Sequence, residues 1–172
     1  NLRFFEPFFL LFLREKGLSF LEIGFLFSFR EISINIMEVP SGAFADLYGR
    51  KSVMLLSLSS YILSFLIFGL ANNLWLLYVA IFFFSIGEAF RTGTHKAMIF
   101  DWLKKEGMLE KKTQVYGYTR SWSQIGSAFS VIIASLLVFY SGRYSYVFWF
   151  SIIPYLLGLW NLASYPQYLN AR

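Results

Sequence analysis

Polar and ionisable residues recur at helical spacing in three otherwise apolar stretches of the sequence. Glu31, Asn35 and Glu38 stand at positions i, i+4 and i+7, which places them on one stripe of a helix. Two further stripes have similar spacing: Glu88, Arg91, Thr92 and His95, and then Arg120, Gln124 and Ser127. Carboxylates, guanidinium groups and amides on aligned faces supply donors and acceptors for a polar solute. We therefore treat these residues as candidates for one shared aqueous cleft.

Two interpretations of the stripes stay open. In the functional interpretation they line a solute pathway, and a protonatable glutamate couples transport to a proton gradient. In the structural alternative, pairs such as Glu88 and Arg91 are static ion bridges that tie helices together. The alignment of polar residues on three separate helices favours pathway lining for the set as a whole.

His95 is the only histidine of the chain. A metal site would need partners at ligand spacing, and the nearby carboxylate on its face belongs to Glu88, with the cation of Arg91 between them. We expect a polar helix-packing contact for His95, and neither a metal nor another cofactor. The sequence has no cysteine, which excludes disulfides, thiolate metal sites and cysteine nucleophiles.

The elements that carry these residues are too apolar for a soluble domain. Hydrophobic residues make up 57% of the 172 residues and charged residues 15%, whereas an ordinary soluble domain has ~25% charged residues. Lipid is therefore the expected solvent, and the sequence predicts an all-α, polytopic membrane helical bundle. A charge near the bilayer centre costs ~2.5–3.5 kcal/mol on insertion scales, so the polar stripes must face protein or water.

Turn signals divide the chain into six helices of a single transmembrane domain, 1–172. The expected helices are about 1–14, 19–45, 51–70, 74–101, 114–140 and 144–164, with cytoplasmic loops at 46–51 and 102–113. Ser19 followed by Glu22 is typical of a capping box at the start of helix 2. The first range is shorter than the ~20 residues that span a bilayer, so we expect a truncated helix 1.

Basic residues set the expected orientation, because cytoplasmic loops carry an excess of lysine and arginine. The larger set follows the second and fourth helices and the chain end: Arg50, Lys51, Lys104, Lys105, Lys111, Lys112 and Arg172. The smaller set, on the other side, is Arg14, Lys16 and Arg143. We expect the larger set and both termini in the cytoplasm of a multi-pass cell-membrane protein. The net charge of +5 comes from these clusters between apolar segments, and no nucleic-acid partner is expected.

The segment Pro40–Lys51 carries a proline, two glycines, a carboxylate and two cations between apolar stretches. It resembles the signature of the major facilitator superfamily of transporters, which lies on the cytoplasmic side between helices 2 and 3. The matching residues are Gly42, Asp46, Gly49, Arg50 and Lys51. The sequence departs from the signature at Phe44 and Leu47, where the family more often has leucine and arginine. The segment Gly87–Asp101 is similar to the end of helix 4 in a bacterial branch of that superfamily, and 38–42 to its lead into the loop.

This resemblance implies the N-terminal six-helix domain of a secondary transporter that moves a small solute by alternating access. It also implies a conformational latch on the cytoplasmic side. Arg50 would bridge to Asp101, while Asp46 would meet a helix of the second six-helix half, whose close approach Gly42 permits. That second half would be the missing partner of this chain, which we expect to be a half-transporter fragment.

Two other classes of protein stay as alternatives. A six-helix intramembrane serine protease would need a Gly-x-Ser-Gly turn and a histidine on a later helix, and no histidine follows His95, so we expect no enzyme. A stand-alone six-helix protein could act as a homodimer through small residues of helix 5, at 126–128. The mixed stripes fit sugars, amphipathic drugs and organic ions about equally well.

Overall fold

The computed structural model describes residues 6–105 and 107–164, and every regular element in those ranges is helical. Short turns join the helices. Their bounds are α1 Glu6–Glu15, α2 Phe20–Tyr48, α3 Arg50–Leu70, α4 Leu74–Lys105, α5 Lys112–Ser141 and α6 Ser145–Ala163, with a 3₁₀ turn at Leu109–Lys111 before α5. The beginning of the predicted first helix and the tail beyond 164 lie outside the described residues.

The start of α2 is fixed by its first side chains. Ser19 Oγ accepts a hydrogen bond from the Glu22 N–H at 3.3 Å, and Glu22 Oε2 accepts one from the Ser19 N–H at 2.8 Å. This reciprocal arrangement satisfies two N–H groups that the helix itself cannot pair, and it confirms the predicted capping box. From there α2 continues as one helix through Pro40.

A single residue, Gly49, separates α2 from α3. Its φ of 83° lies in the region that glycine adopts readily and other residues avoid, so the chain changes direction without a loop. The segment predicted as a loop, 46–51, is therefore helical except at Gly49. The predicted loop at 102–113 is also shorter, because α4 continues to Lys105 and α5 begins at Lys112. At both segments the charged residues belong to the ends of the helices, because a charged side chain does not by itself interrupt the hydrogen bonding of the helix backbone.

The main core is aromatic and joins α1, α3 and α6. The rings of Phe12 and Phe148 lie 4.5 Å apart, those of Phe68 and Phe148 5.0 Å, and those of Phe9 and Phe68 5.4 Å. All four side chains are buried. Edge-on and tilted pairs at such distances contribute roughly 0.5–1.5 kcal/mol beyond their burial, so the short α1 is held firmly against its longer neighbours.

Small residues let α3 and α4 approach closely. Ser57 Oγ donates to the Gly87 carbonyl at 2.6 Å, and Ser64 Oγ donates to the Ala80 carbonyl at 2.7 Å. Serine, glycine and alanine are typical of helix contacts in membranes, where packing and interhelical hydrogen bonds drive association. These two bonds fix the register of α3 against α4.

By length and composition, four of the described helical segments could cross a membrane: Arg50–Leu70, Leu74–Thr92, Lys112–Ser141 and Ser145–Ala163. The charged residues of α2 keep it out of this group, although it has 29 residues. Burial differs sharply among the four, from 50% of the apolar window in α4 to 11% in α5. One broad face of α5 is thus uncovered by the rest of the described chain.

The α3–α4 contact gives a stability prediction. A Cβ at Gly87 would lie 3.0 Å from Tyr61 Cγ and 3.2 Å from the Ser57 carbonyl oxygen, whereas a Cβ at Gly24 would meet nothing within 4 Å. Gly87→Val should therefore lower the unfolding free energy by about 1–3 kcal/mol relative to Gly24→Val, since overpacking is destabilising. Thermal unfolding in detergent measures the difference. Equal melting temperatures for the two variants would contradict the tight contact.

Candidate functional site

The most completely connected polar group in the described chain lies between α3 and α4. Arg91 Nη2 donates to Glu88 Oε1 at 2.6 Å, and Arg91 Nε donates to the Tyr61 hydroxyl oxygen at 3.1 Å. The Tyr61 hydroxyl in turn donates to Glu88 Oε2. The three side chains thus close a ring of hydrogen bonds in which both carboxylate oxygens of Glu88 are occupied.

Burial makes this ring of hydrogen bonds important for stability. Tyr61 is 1% exposed, and the Arg91 and Glu88 side chains are 10% and 16% exposed. An ion pair taken out of water is tolerated when additional hydrogen bonds satisfy its remaining groups, which is what the tyrosine does here. The Tyr61 ring also packs against Tyr155 of α6, with 4.9 Å between ring centroids. The ring of hydrogen bonds therefore links α3 and α4 and touches α6.

The α2 stripe has a different environment. The side chains of Glu31, Asn35 and Glu38 are all exposed. Asn35 Nδ2 donates to the Glu31 carbonyl oxygen at 2.8 Å, and Arg30 Nη2 lies 2.7 Å from Glu31 Oε1. The Glu31 side chain is nonetheless 58% exposed, and Glu38 makes no side-chain hydrogen bond to any described residue. This face of α2 presents acids and an amide that the helices around it leave uncovered.

On α5, Arg120 and Gln124 are exposed and bond no described side chain. The three stripes are therefore not joined through these two residues. The side chain of His95 lies outside the described part of the chain. Among the side chains that are described, no three histidine, cysteine, aspartate or glutamate groups lie close enough to hold a metal ion.

The signature residues lie at the end of the bundle where α2 meets α3. Asp46 is exposed, and a Cβ at Gly42 would meet nothing within 4 Å. Arg50 is half-buried, but the side chain of Asp101 is outside the described residues, so the predicted bridge between them stays a prediction. Lys51 Nζ donates to the Ala163 carbonyl oxygen at 2.9 Å, which ties the start of α3 to the last turn of α6.

A family model described as Major Facilitator Superfamily matches residues 2–168. The chain belongs to the major facilitator superfamily. A relative is the uncharacterized MFS-type transporter YxaM of Bacillus subtilis (strain 168), which is 32% identical over 90 residues. Those residues make up 52% of this chain and 23% of the relative, so the similarity covers about a quarter of that protein. The predicted family is confirmed, and the fold is an all-α membrane helical bundle of the superfamily's type.

Sequence reasoning missed Tyr61 and Tyr155, although it selected Glu88 and Arg91. The run after Lys51 has no charge up to Glu88, so charge alone marks it only as the apolar helices predicted at 51–70 and from 74 onward. A signal was present, because buried polar residues recur along α3 at helical spacing: Ser57, Ser60, Tyr61 and Ser64. Uncharged polar residues on one face of an apolar helix indicate which neighbour that helix contacts.

The hydroxyl of Tyr61 can be tested without changing the ring. Tyr61→Phe leaves Glu88 and Arg91 buried with fewer partners, and hydrogen bonds to charged groups contribute about 1.5–3 kcal/mol. We expect Tyr61→Phe to lower the unfolding free energy by about 1.5–3 kcal/mol. Thermal or denaturant unfolding in detergent measures the change. Tyr78→Phe is the matched control, because the Tyr78 hydroxyl bonds no described residue. An unchanged melting temperature for Tyr61→Phe would show that the hydroxyl is not stabilising the ion pair.

Proposed function

We propose that this chain is part of a secondary active transporter that moves a small solute across a membrane by alternating access. Its membership of the major facilitator superfamily supports this class, as does a relative that is named as a transporter. The family also points to a transporter rather than to an enzyme. We place it in the cell membrane, with the Arg50 and Lys51 end and both termini in the cytoplasm, because the basic residues concentrate at that end.

The observation that carries the proposal is the uncovered polar stripe of α2. Glu31, Asn35 and Glu38 share one exposed face in the middle and second half of that helix. Each charge would cost ~2.5–3.5 kcal/mol against acyl chains near the bilayer centre. Water or protein must therefore lie against this face. A water-filled cleft between two helical bundles meets that requirement and gives a solute access to the same groups.

Residues of α5 supply further groups to the proposed cleft. Arg120 and Gln124 are exposed on the helix that the bundle buries least. In the proposed arrangement, a second six-helix bundle lies against the exposed faces of α2 and α5. The solute then passes between the bundles, and these side chains bind its polar groups.

We assign Glu88 and Arg91 to the edge of the same pathway. Their hydrogen bonds to Tyr61 hold the pair in place, while the carboxylate of Glu88 keeps some exposure. His95, one turn beyond Arg91 in sequence, stays a candidate on the same stripe. Taken together, the three stripes contain acids, bases and amides, which suits a small polar or ionic solute such as a sugar, an amphipathic drug or an organic ion.

A carboxylate in the cleft also provides a route for proton coupling. Glu31 and Glu38 are the exposed acids of the α2 stripe, so either can exchange protons with water in the cleft. We propose that protonation of one of them accompanies solute movement. Glu88 is less suited to this role, because both of its oxygens are held by Arg91 and Tyr61.

The signature residues form the proposed latch. Asp46 is exposed, and Gly42 leaves open space beside it, so a helix of the second bundle can approach this end of α2. Arg50 is proposed to bridge to Asp101, and Lys51 holds the last turn of α6. Gly49 sets the angle between the two helices that carry these groups. Together they close the cytoplasmic side while the cleft is open to the outside.

A second copy of the chain is the alternative source of the second bundle. The low burial of α5 favours some covering partner, and the small residues at 126–128 would allow close helix contact. Crosslinking in membranes distinguishes the two cases. A ladder that stops at the dimer, with transport retained, supports the homodimer.

Water access to the stripes can be measured directly, because the chain has no cysteine. Single cysteines at Glu31, Asn35, Glu38 and Gln124 should react with a membrane-impermeant maleimide. Leu63→Cys, on an exposed apolar position of α3, is the control and should stay unlabelled in membranes. If the stripe positions react no faster than Leu63→Cys, the proposed cleft is wrong.

Uptake by cells that express the protein tests the roles of individual residues. For a solute that the wild type transports, Glu31→Gln and Arg91→Ala should each lower uptake about tenfold or more, since each removes a charged hydrogen-bonding group. Asp46→Asn should slow transport without changing the half-saturating concentration, because the latch does not touch the solute. Gly24→Ala, at an open exposed position, is the matched control. Unchanged uptake in both Glu31→Gln and Arg91→Ala would contradict the pathway assignment.

A further inference from the structure

A cavity of about 220 Å³ lies at the end of the bundle opposite Gly49, and the proposed pathway does not use it. It opens between the turn that joins α1 to α2 and the turn that joins α3 to α4. Its lining residues are Lys16, Gly17, Leu18, Glu22, Ala71, Asn72, Asn73, Leu74 and Leu77. At ~30 Å³ per water it has room for about seven water-sized groups.

The cavity carries one charge of each sign. Lys16 makes no ion pair with any described residue, and its ammonium lies 5.5 Å from the centre of the Phe12 ring. Glu22 uses Oε2 to accept two hydrogen bonds from Ser19, at 2.8 Å and 2.7 Å, while Oε1 has no partner among the described residues. A cation and a carboxylate oxygen are therefore both available to a ligand.

Amides complete the polar lining. Asn73 Oδ1 accepts the Leu76 N–H at 2.9 Å, which leaves its Nδ2 as a donor, and the Asn72 side chain bonds no described residue. The cavity thus offers a cation and amide donors for an anionic group, and a carboxylate for an ammonium. A small zwitterion, with an anion and an ammonium a few bonds apart, satisfies both ends.

The position of the cavity indicates where such a zwitterion comes from. Asn72 and Asn73 lie between two segments that could cross a membrane. When both segments span, the cavity between them lies at the level of the lipid headgroups. The residues next along the chain from the lining are large and exposed: Phe20 and Leu21 on α2 and Trp75 on α4 are 69%, 70% and 79% exposed. Tryptophan is enriched at this depth, and apolar side chains beside a headgroup site face acyl chains.

We propose that this cavity binds the headgroup of an ethanolamine phospholipid. The phosphate lies against Lys16 and the asparagine amides, and the ammonium donates hydrogen bonds to Oε1 of Glu22. The choline headgroup has no N–H to donate to Glu22, and glycerol headgroups have no cation. Headgroup binding at this end holds the α1–α2 and α3–α4 turns together, whichever solute the protein transports.

Lipid retention tests the proposal. The full chain is incubated in detergent with equimolar phosphatidylethanolamine, phosphatidylcholine and phosphatidylglycerol, and the lipids that stay with the purified protein are counted by mass spectrometry. The wild type should retain about tenfold more phosphatidylethanolamine than either of the others, the ratio expected for one hydrogen bond to a charged group. Equal retention of the ethanolamine and choline lipids by the wild type would overturn the proposal.

Two substitutions assign the site. Lys16→Met keeps an apolar stem without the charge, and Glu22→Gln keeps a residue that also suits the capping box. Glu22→Gln should abolish the preference for phosphatidylethanolamine, and Lys16→Met should lower the retention of all three lipids, because each of them carries the phosphate. Lys104→Met, at the opposite end of the bundle, should change neither. A preference that survives Glu22→Gln, together with retention that Lys16→Met leaves unchanged, would place the lipid elsewhere and overturn the assignment.

A comparison with soluble phosphoethanolamine tests whether the cavity binds a lipid or a free ligand that carries the same groups. At equal concentration the lipid should raise the melting temperature of the wild type more than the soluble compound does. Stabilisation by the soluble compound that equals or exceeds that by the lipid would overturn the assignment to lipid. No step of these measurements needs a transported solute, so their failure is distinguishable from failure of the proposed transport function.

Discussion

The cost of ionised groups in an apolar environment governs this structure. Glu88 and Arg91 lie among helices that are rich in leucine, isoleucine and phenylalanine, and neither charge could be left there unpaired. Tyr61 completes their hydrogen bonding from the neighbouring helix. As a result, α3 must lie close enough to α4 for the Tyr61 hydroxyl to reach the Glu88–Arg91 ion pair. The packing of the two helices and the hydrogen bonding of the ion pair therefore depend on each other.

The close approach itself comes from small side chains. Ser57 and Ser64 donate to backbone carbonyls of α4, and Gly87 lies directly against the Tyr61 ring. In lipid, such contacts replace the hydrophobic drive that assembles a soluble core. The aromatic cluster around Phe148 then adds α1 and α6 to the pair. In the described chain α3 packs against both α4 and α6, whereas the polar side chains of the α2 stripe and Arg120 and Gln124 on α5 are exposed.

Much of the fold could be predicted from the sequence, because lipid imposes strong rules on composition. Apolar runs of spanning length identify the helices, and Ser19 with Glu22 identifies the start of α2 by a local hydrogen-bond pattern. The signature at Gly42 to Lys51 identified the family, which the match over residues 2–168 confirms. Local signals of this kind need no knowledge of which helices touch.

The candidate site was harder to predict, because its geometry depends on contacts between helices. The stripe containing Glu88 and Arg91 was visible from spacing alone, but their partner Tyr61 precedes Glu88 by most of two helices. Lys51 lies where the predicted loop 46–51 meets the predicted helix 51–70, and its bond to the end of α6 joins helices that spacing along the chain does not connect. Periodicity tells which residues share a face of one helix; it does not tell which face of another helix they meet.

The junction at Gly49 has a consequence for how this chain can vary. Because one residue separates two helices, inserting or deleting a residue there rotates α3 by ~100° relative to α2. That rotation would carry Ser57, Tyr61 and Ser64 away from α4 and leave Arg91 without its tyrosine. The number of residues at this corner is therefore as tightly restricted as the identity of any side chain in the core, and length changes among related chains should be confined to the other turns.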